Sequence, residues 1–321
     1  MRKIKFAAVL SKPLCHAVFV LSLLPVIAGC GTANATKSAG AKVHPENWKL
    51  GSSTSLIPVL KPEVIKEVRE SGIHFIEIGW KDHNLEGSTF ADRMDYAKSV
   101  FAQASAEGIT IWSTHVPYGK NFDISNPDAA ARKNTVALVK EYIDLAIEMR
   151  AKQIVLHPSE PLEESTRAQR IINCRESLQE LAAYTKGKGI ALAMECLPPN
   201  FLGRSSNEML VILDGIEGVG VCFDSNHLYP EKPEEFVRKV GKRIRTVHIA
   251  DFDGKVQKHW MPGRGAVDWN KVIDALADIG YSGPFMYEVV RRDKETHTFK
   301  DLKANFDSLR TAWSNSKTSR R

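Results

Sequence analysis

The chain has 321 residues, 43% hydrophobic and 26% charged, with a formal net charge of +6. These are ordinary globular values, which exclude bulk disorder and a multi-span membrane protein. The length suits one α/β barrel, which needs roughly 250 residues.

The first residues form a separate segment. Arg2, Lys3 and Lys5 make a positive start, and residues 14–28 are an apolar run too short for a good membrane span. The run ends in Ile27, Ala28, Gly29 and Cys30, which resembles a bacterial lipobox with Ile at the position usually held by Leu. That resemblance implies cleavage before Cys30, lipidation of its thiol, and an exported lipoprotein anchored to the membrane on its periplasmic side. The expected division is a lipoprotein signal peptide at 1–29, a small and polar flexible tether at 30–46, a barrel domain at 47–316 and a solvated basic tail at 317–321. Once Arg2, Lys3, Lys5 and Lys12 are removed, 40 basic residues face 38 acidic ones, a net +2. A nearly neutral domain gives no electrostatic case for binding nucleic acid.

From Trp48 onward, short apolar runs alternate with amphipathic ones. Strands are predicted at 49–52, 74–79, 110–115, 153–157, 191–195, 220–224, 246–249 and 285–289. Several are apolar stretches bounded by polar, Gly or Pro residues, as buried parallel strands are. Helices are predicted between and after them, at 62–70, 91–107, 127–149, 165–186, 206–214, 233–240, 270–278 and 299–314. The third is the clearest: Asn126 caps it, Pro127 suits its first turn, and Val136, Val139, Ile143, Ala146 and Ile147 share one face. Gly189 and Gly280 stand where a helix gives way to the next strand. About eight βα units predict a single (β/α)8 TIM barrel of the α/β class. The rival, an open doubly wound sheet, lacks the G-x-G-x-x-G fingerprint after its first strand.

The strand ends are polar. His115, His157, Glu195, Asp224, His248 and Glu288 each close an apolar run, at spacings of 42, 38, 29, 24 and 40 residues, about one βα unit each. Chemistry in a barrel sits at the C-terminal ends of the strands, so the six side chains should converge on one rim. Carboxylates and imidazoles gathered there without a cation would be costly to desolvate. Mixed His and carboxylate ligands suit Zn, Mn, Co or Mg. His227, His259 and Glu77 are further candidates for the pocket, whereas His44, His74, His83 and His297 read as surface or core residues. Trp80, Trp112, Phe201, Trp260 and Met261 are candidate walls of a sugar pocket, and His227 and Arg264 candidate binders of substrate hydroxyls or a carboxylate. Cys196 and Cys222 should lie on opposite faces of the sheet, because strand side chains alternate, and so should not form a disulfide. No G-x-S-x-G, Walker loop or H-E-x-x-H is present.

These strand ends resemble the xylose isomerase-like superfamily, which includes sugar isomerases and epimerases, inosose dehydratases and the endonuclease IV branch. The resemblance rests on Glu195, the run from Asp224 to His227, His248, the stretch from Pro262 to Trp269, and Glu288, and it spans residues 48–314. In the ketose epimerase branch it implies one metal held by Glu195, Asp224, His248 and Glu288, with the two glutamates also acting as acid and base, and substrate contact by His227. This chain departs from that branch at Phe201 and Gly254, where a second Glu and an Arg are usual, and from the wider superfamily at Arg264, where Glu is more common. The endonuclease branch implies a metal at His115, His157 and Glu195, a second at the quartet, and a third at His227 and His259, where Gln257 replaces an expected Asp.

The expected function is an exported, divalent-metal-dependent sugar isomerase or epimerase that passes a proton between Glu195 and Glu288 through an enediolate. If a leaving group sits β to the carbanion, the same site becomes a lyase or dehydratase, for instance on 3-keto-glycosides. The rivals are an endonuclease IV-like phosphodiesterase and a non-catalytic sugar-binding lipoprotein. The expected partners are a small carbohydrate and, through the lipid alone, a membrane, with no nucleic acid.

Overall fold

The computed structural model describes residues 44–56, 61–80, 87–229, 231–290 and 297–318. The expected signal peptide, Cys30, most of the tether and His83 lie outside these residues. Among the described residues no helix is long and apolar enough to cross a membrane.

Eight strands run in parallel: β1 (Leu50–Ser53), β2 (Phe75–Gly79), β3 (Thr110–His115), β4 (Gln153–Leu156), β5 (Ala191–Glu195), β6 (Val219–Asp224), β7 (Ile244–His248) and β8 (Phe285–Tyr287). Each pairs with its neighbour in chain order, and β8 returns to pair with β1. The seam between β7 and β8 is held by a bridge from Ile249 to Tyr287, with Ile249 N–H donating to Met286 O at 2.8 Å. The result is a nearly closed (β/α)8 barrel, as the alternating pattern predicts.

The helices are α1 (Pro62–Glu70), α2 (Phe90–Ala106), α3 (Ala129–Glu148), α4 (Arg167–Thr185), α5 (Ser206–Leu213), α6 (Pro233–Val240), α7 (Trp269–Asp278) and α8 (Phe299–Thr318). Their starts follow local chemistry. Thr89 and Asp92 form a reciprocal capping box on α2, and Pro62 and Pro233 open α1 and α6. Three boundaries differ from expectation. The cap of α3 is Asp128, which accepts from Ala131 N–H at 2.8 Å, while Asn126 accepts from Asp128 N–H at 3.0 Å in a turn just before it. Pro127 therefore lies outside the helix. At the far end, α8 extends through the start of the expected basic tail, because Lys317 pairs with Asp274. Third, Pro45 at the end of the expected tether is buried, and Arg310 on α8 donates to Glu46 O at 2.7 Å.

Alternation within the strands sorts side chains between two cores. Outward residues such as Ile154, Leu192, Met194, Val221 and Val247 pack under the helices in one large cluster. Inside the barrel, Val155, Ala193 and Cys222 form a separate small apolar layer. The next inward position on each of those three strands is His157, Glu195 or Asp224, one step nearer the rim. Cys196 instead has its thiol at the Asp224 backbone, and Cys174, Cys196 and Cys222 are all free.

One irregularity breaks the alternation. Pairing of β2 with β3 steps from Ile76–Ile111 to Glu77–Ser113, leaving Trp112 as an extra residue on β3. Trp112 thereby donates its indole N–H to Thr246 Oγ1 of β7 at 3.1 Å. It is a barrel-filling residue absent from the cavity lining, not the pocket wall the sequence suggested.

Candidate metal centre

The polar strand ends meet at the C-terminal mouth of the barrel. Glu195, Asp224, His248 and Glu288 each offer a ligand atom, and these atoms all lie within 4.8 Å of one another. Asp224 and His248 are fully buried and Glu195 nearly so. Asp224 Oδ2, Glu288 Oε2 and His248 Nε2 are buried without a hydrogen-bond partner among the described residues. Carboxylate oxygens gathered this closely, with only histidine contacts near them, are what a divalent cation would satisfy, so the donor set fits a metal.

A second group, His115, His157 and Glu195, meets the same distance test and shares Glu195 with the first. Glu195 Oε2 is 2.9 Å from His115 Nε2 and 3.1 Å from His157 Nε2, while Oε1 is 3.1 Å from His248 Nδ1. All six residues proposed from the strand ends are therefore brought together.

The electrostatics reflect the crowding of charge. Burial pushes the Glu288 carboxyl up to about 8, with Glu195, Asp224 and Glu77 adding repulsion and His248 opposing them. Asp224 is raised well above the usual carboxylate range by burial and then by the Glu195 charge. Burial also disfavours charge on Glu195, yet His248, His115 and His157 together hold it well below its ordinary value. Burial would lower His115, but its bond to Glu195 wins and raises it to about 9. Its other nitrogen, Nδ1, faces Val116 O at 2.7 Å, and a carbonyl can only accept, so both ring nitrogens donate.

Above this floor lies a cavity of about 550 Å³. Its wall includes Trp80, His157, His227, His259 and Phe201, as proposed, together with Tyr118. His227 Nδ1 donates to Cys196 O at 3.0 Å, so in the neutral ring Nε2 is the acceptor. His259 has a left-handed backbone, φ 52°, and its Nδ1 lies 3.1 Å from Glu288 O. Asn226 holds it there, its side-chain oxygen accepting from the backbone N–H of Lys258 and His259 at 2.8 and 2.9 Å. Arg264, Trp260 and Met261 are absent from the lining, and Arg264 is exposed on the loop after β7. His44 packs on Trp313, away from the site.

Glu77, a pocket candidate from sequence, does line the cavity, whereas Asp251 was given no role from sequence. Glu77 is buried, with Oε1 2.9 Å from His248 Nε2. Asp251 is also fully buried, and its carboxylate accepts from Phe252, Gly263 and Val267 N–H and from the Trp269 indole, at 2.8–3.2 Å. It gathers the loop that carries Gln257 and His259 into the cavity. A Cβ at Gly265 would collide with Phe252 O and Asp251 Oδ1, which explains a glycine in that loop. The sequence signal was present in both cases: an acid closing an apolar run, and an acid followed by a Gly-rich stretch.

The chain belongs to the xylose isomerase-like TIM barrel family, whose family model matches residues 65–312. It is 28% identical over 185 residues to an uncharacterised protein of Methanocaldococcus jannaschii, covering 54% of this chain and 62% of that one. It is 26% identical over 198 residues to a D-psicose 3-epimerase of Ruminiclostridium cellulolyticum, covering 58% and 66% respectively. The chain thus spans less than two thirds of either relative. Among solved structures, a D-tagatose 3-epimerase-like protein superposes with a TM-score of 0.71 over 84% of this chain and 99% of that one, at 23% identity.

Proposed function

We propose that this protein is a divalent-metal-dependent sugar epimerase or isomerase that moves a proton at a carbon beside a carbonyl. The observation that carries the reading is the convergence of two glutamates, an aspartate and a histidine within 4.8 Å beneath a cavity walled by histidines and aromatic rings. The similarity to a D-psicose 3-epimerase supports the same chemistry.

Glu195, Asp224, His248 and Glu288 would hold the ion. When bound, a divalent ion supplies electrostatic stabilisation of the negative charge that develops on a substrate oxygen as the neighbouring C–H bond breaks. The chain's own groups do the rest. Glu195 ends β5 and Glu288 follows β8, so they approach from different sides of the barrel axis. One carboxylate takes the proton and the other returns it, to the opposite face for epimerisation or to the adjacent carbon for isomerisation. His227 offers Nε2 as an acceptor for a sugar hydroxyl. Trp80 and Phe201 present apolar faces that exclude water and suit the C–H face of a sugar ring.

A phosphodiester reading is less well supported. The chain apart from its leader is nearly neutral, and Gln257 lines the cavity where a carboxylate would be wanted for a third ion. Export and lipid anchoring at Cys30 form part of the proposal: Cys30→Ser should release the protein from the membrane fraction, and unchanged fractionation would overturn that part. The catalytic reading is tested by incubating metal-loaded protein with free ketoses and 3-keto-glycosides in deuterated water. Deuterium at one carbon with inverted or isomerised product supports it. Loss of a leaving group would redirect it to a lyase, and no exchange on any substrate would refute it. Metal content per chain by elemental analysis decides whether the shared Glu195 serves one ion or two.

A further inference from the structure

We infer that Glu77 is the positioning residue of the metal centre, setting which nitrogen of His248 faces the ion. This rests on the reading of the quartet as a metal site. His248 is fully buried and its two nitrogens face different carboxylates. Nδ1 lies 3.1 Å from Glu195 Oε1 and 3.3 Å from Glu288 Oε2, on the side of the quartet. Nε2 lies 2.9 Å from Glu77 Oε1, on the far side, as a close ion-pair contact not aligned as a hydrogen bond.

A histidine that ligates through one nitrogen must donate the proton on the other, and the partner of that proton fixes both tautomer and ring orientation. An ionised carboxylate can only accept. With an acceptor 2.9 Å from Nε2, a small tilt of the ring lets Nε2 keep the proton, and the Nδ1 lone pair is then left for the cation. Glu77 is itself held. Its Oε2 accepts from the Ser113 hydroxyl at 2.6 Å, and the side chain is 1% exposed. The irregular pairing at Trp112 is what brings Ser113 opposite Glu77, because the regular register would have placed Trp112 there. The bulge, the serine, the carboxylate and the imidazole form one chain of contacts ending at the ion site.

The test is metal affinity, measured with Co(II) and Zn(II) by competition against a chromophoric chelator. Glu77→Gln replaces the charged acceptor by a neutral amide, whose oxygen accepts more weakly and whose NH2 competes for the place facing Nε2. It should weaken binding about 10- to 100-fold, the usual effect of losing such a partner. Ser113→Ala leaves the carboxylate in place but unanchored, and should weaken binding severalfold with the fold intact. A loss from about threefold to several hundredfold in Glu77→Gln supports the assignment. A smaller change would overturn it, and so would a larger one, on the scale of deleting a ligand, which would make Glu77 part of the coordination sphere. If Glu77→Gln does not fold, Ser113→Ala decides: affinity equal to the parent overturns the inference. A parent protein that binds neither ion would overturn the metal reading itself, whereas a parent that binds with unaffected variants would overturn only the role of Glu77.

Discussion

Replacing Asp251 by Asn tests how the loop over the site is built. Each carboxylate oxygen accepts two hydrogen bonds: Oδ1 from Phe252 and Val267 N–H, and Oδ2 from Gly263 N–H and the Trp269 indole. Asparagine keeps the shape and one oxygen. Its NH2 then faces two N–H donors, so two bonds to a charged acceptor are lost in a fully buried place. Hydrogen bonds to charged groups contribute about 1.5–3 kcal/mol each, so the loss is about 3–6 kcal/mol. That is a large share of a typical stability of about 5–15 kcal/mol. Urea unfolding should show a lower midpoint with an unchanged slope. Because this loop carries His259 and Gln257, substrate affinity should fall as well. The quartet resides mainly on other strands, so metal affinity should stay within about threefold of the parent (a Kd change under about 0.7 kcal/mol). Stability within about 0.5 kcal/mol of the parent, the range of an ordinary surface change, would refute the role given to Asp251.

Three further outcomes are expected. Glu288→Gln should reduce solvent-deuterium exchange into substrate at least about 100-fold, the lower end of what a positioned acid or base contributes, and exchange persisting at the parent rate would remove Glu288 from the mechanism. Tyr118 is 69% exposed at the cavity mouth and stacks on His157 with ring centroids 5.3 Å apart. Tyr118→Ala should therefore raise KM roughly 2- to 12-fold, from about 0.5–1.5 kcal/mol of aromatic contact, with the melting temperature unmoved; an unchanged KM would show that the ring does not touch substrate. Stripping the metal with a chelator should lower the melting temperature. Adding it back at a hundred times its Kd should return about 2.7 kcal/mol, roughly 5–10 °C for a domain of this size, and bound metal without any shift would argue against a site in the folded barrel.

Much of the fold was legible because its periodicities are local. Short apolar runs, Pro at helix starts and Gly189 and Gly280 in left-handed conformations mark the βα units within a few residues of chain. Six polar strand ends at one-unit spacing fixed the composition of the centre, since parallel strands of a barrel must deliver their ends to one rim. Tertiary structure alone decided what depends on register and on contacts far apart in the chain. The bulge that turns Trp112 into the barrel and sets Ser113 against Glu77 depends on how β2 and β3 align, which the alternation within either strand does not specify. Arg264 looked like a substrate ligand because it sits in a motif, yet its loop is organised around the buried Asp251 carboxylate, and the residue is exposed and absent from the cavity lining. Side-chain direction at the end of a loop follows from where that loop's backbone hydrogen bonds are satisfied, and those partners are long-range.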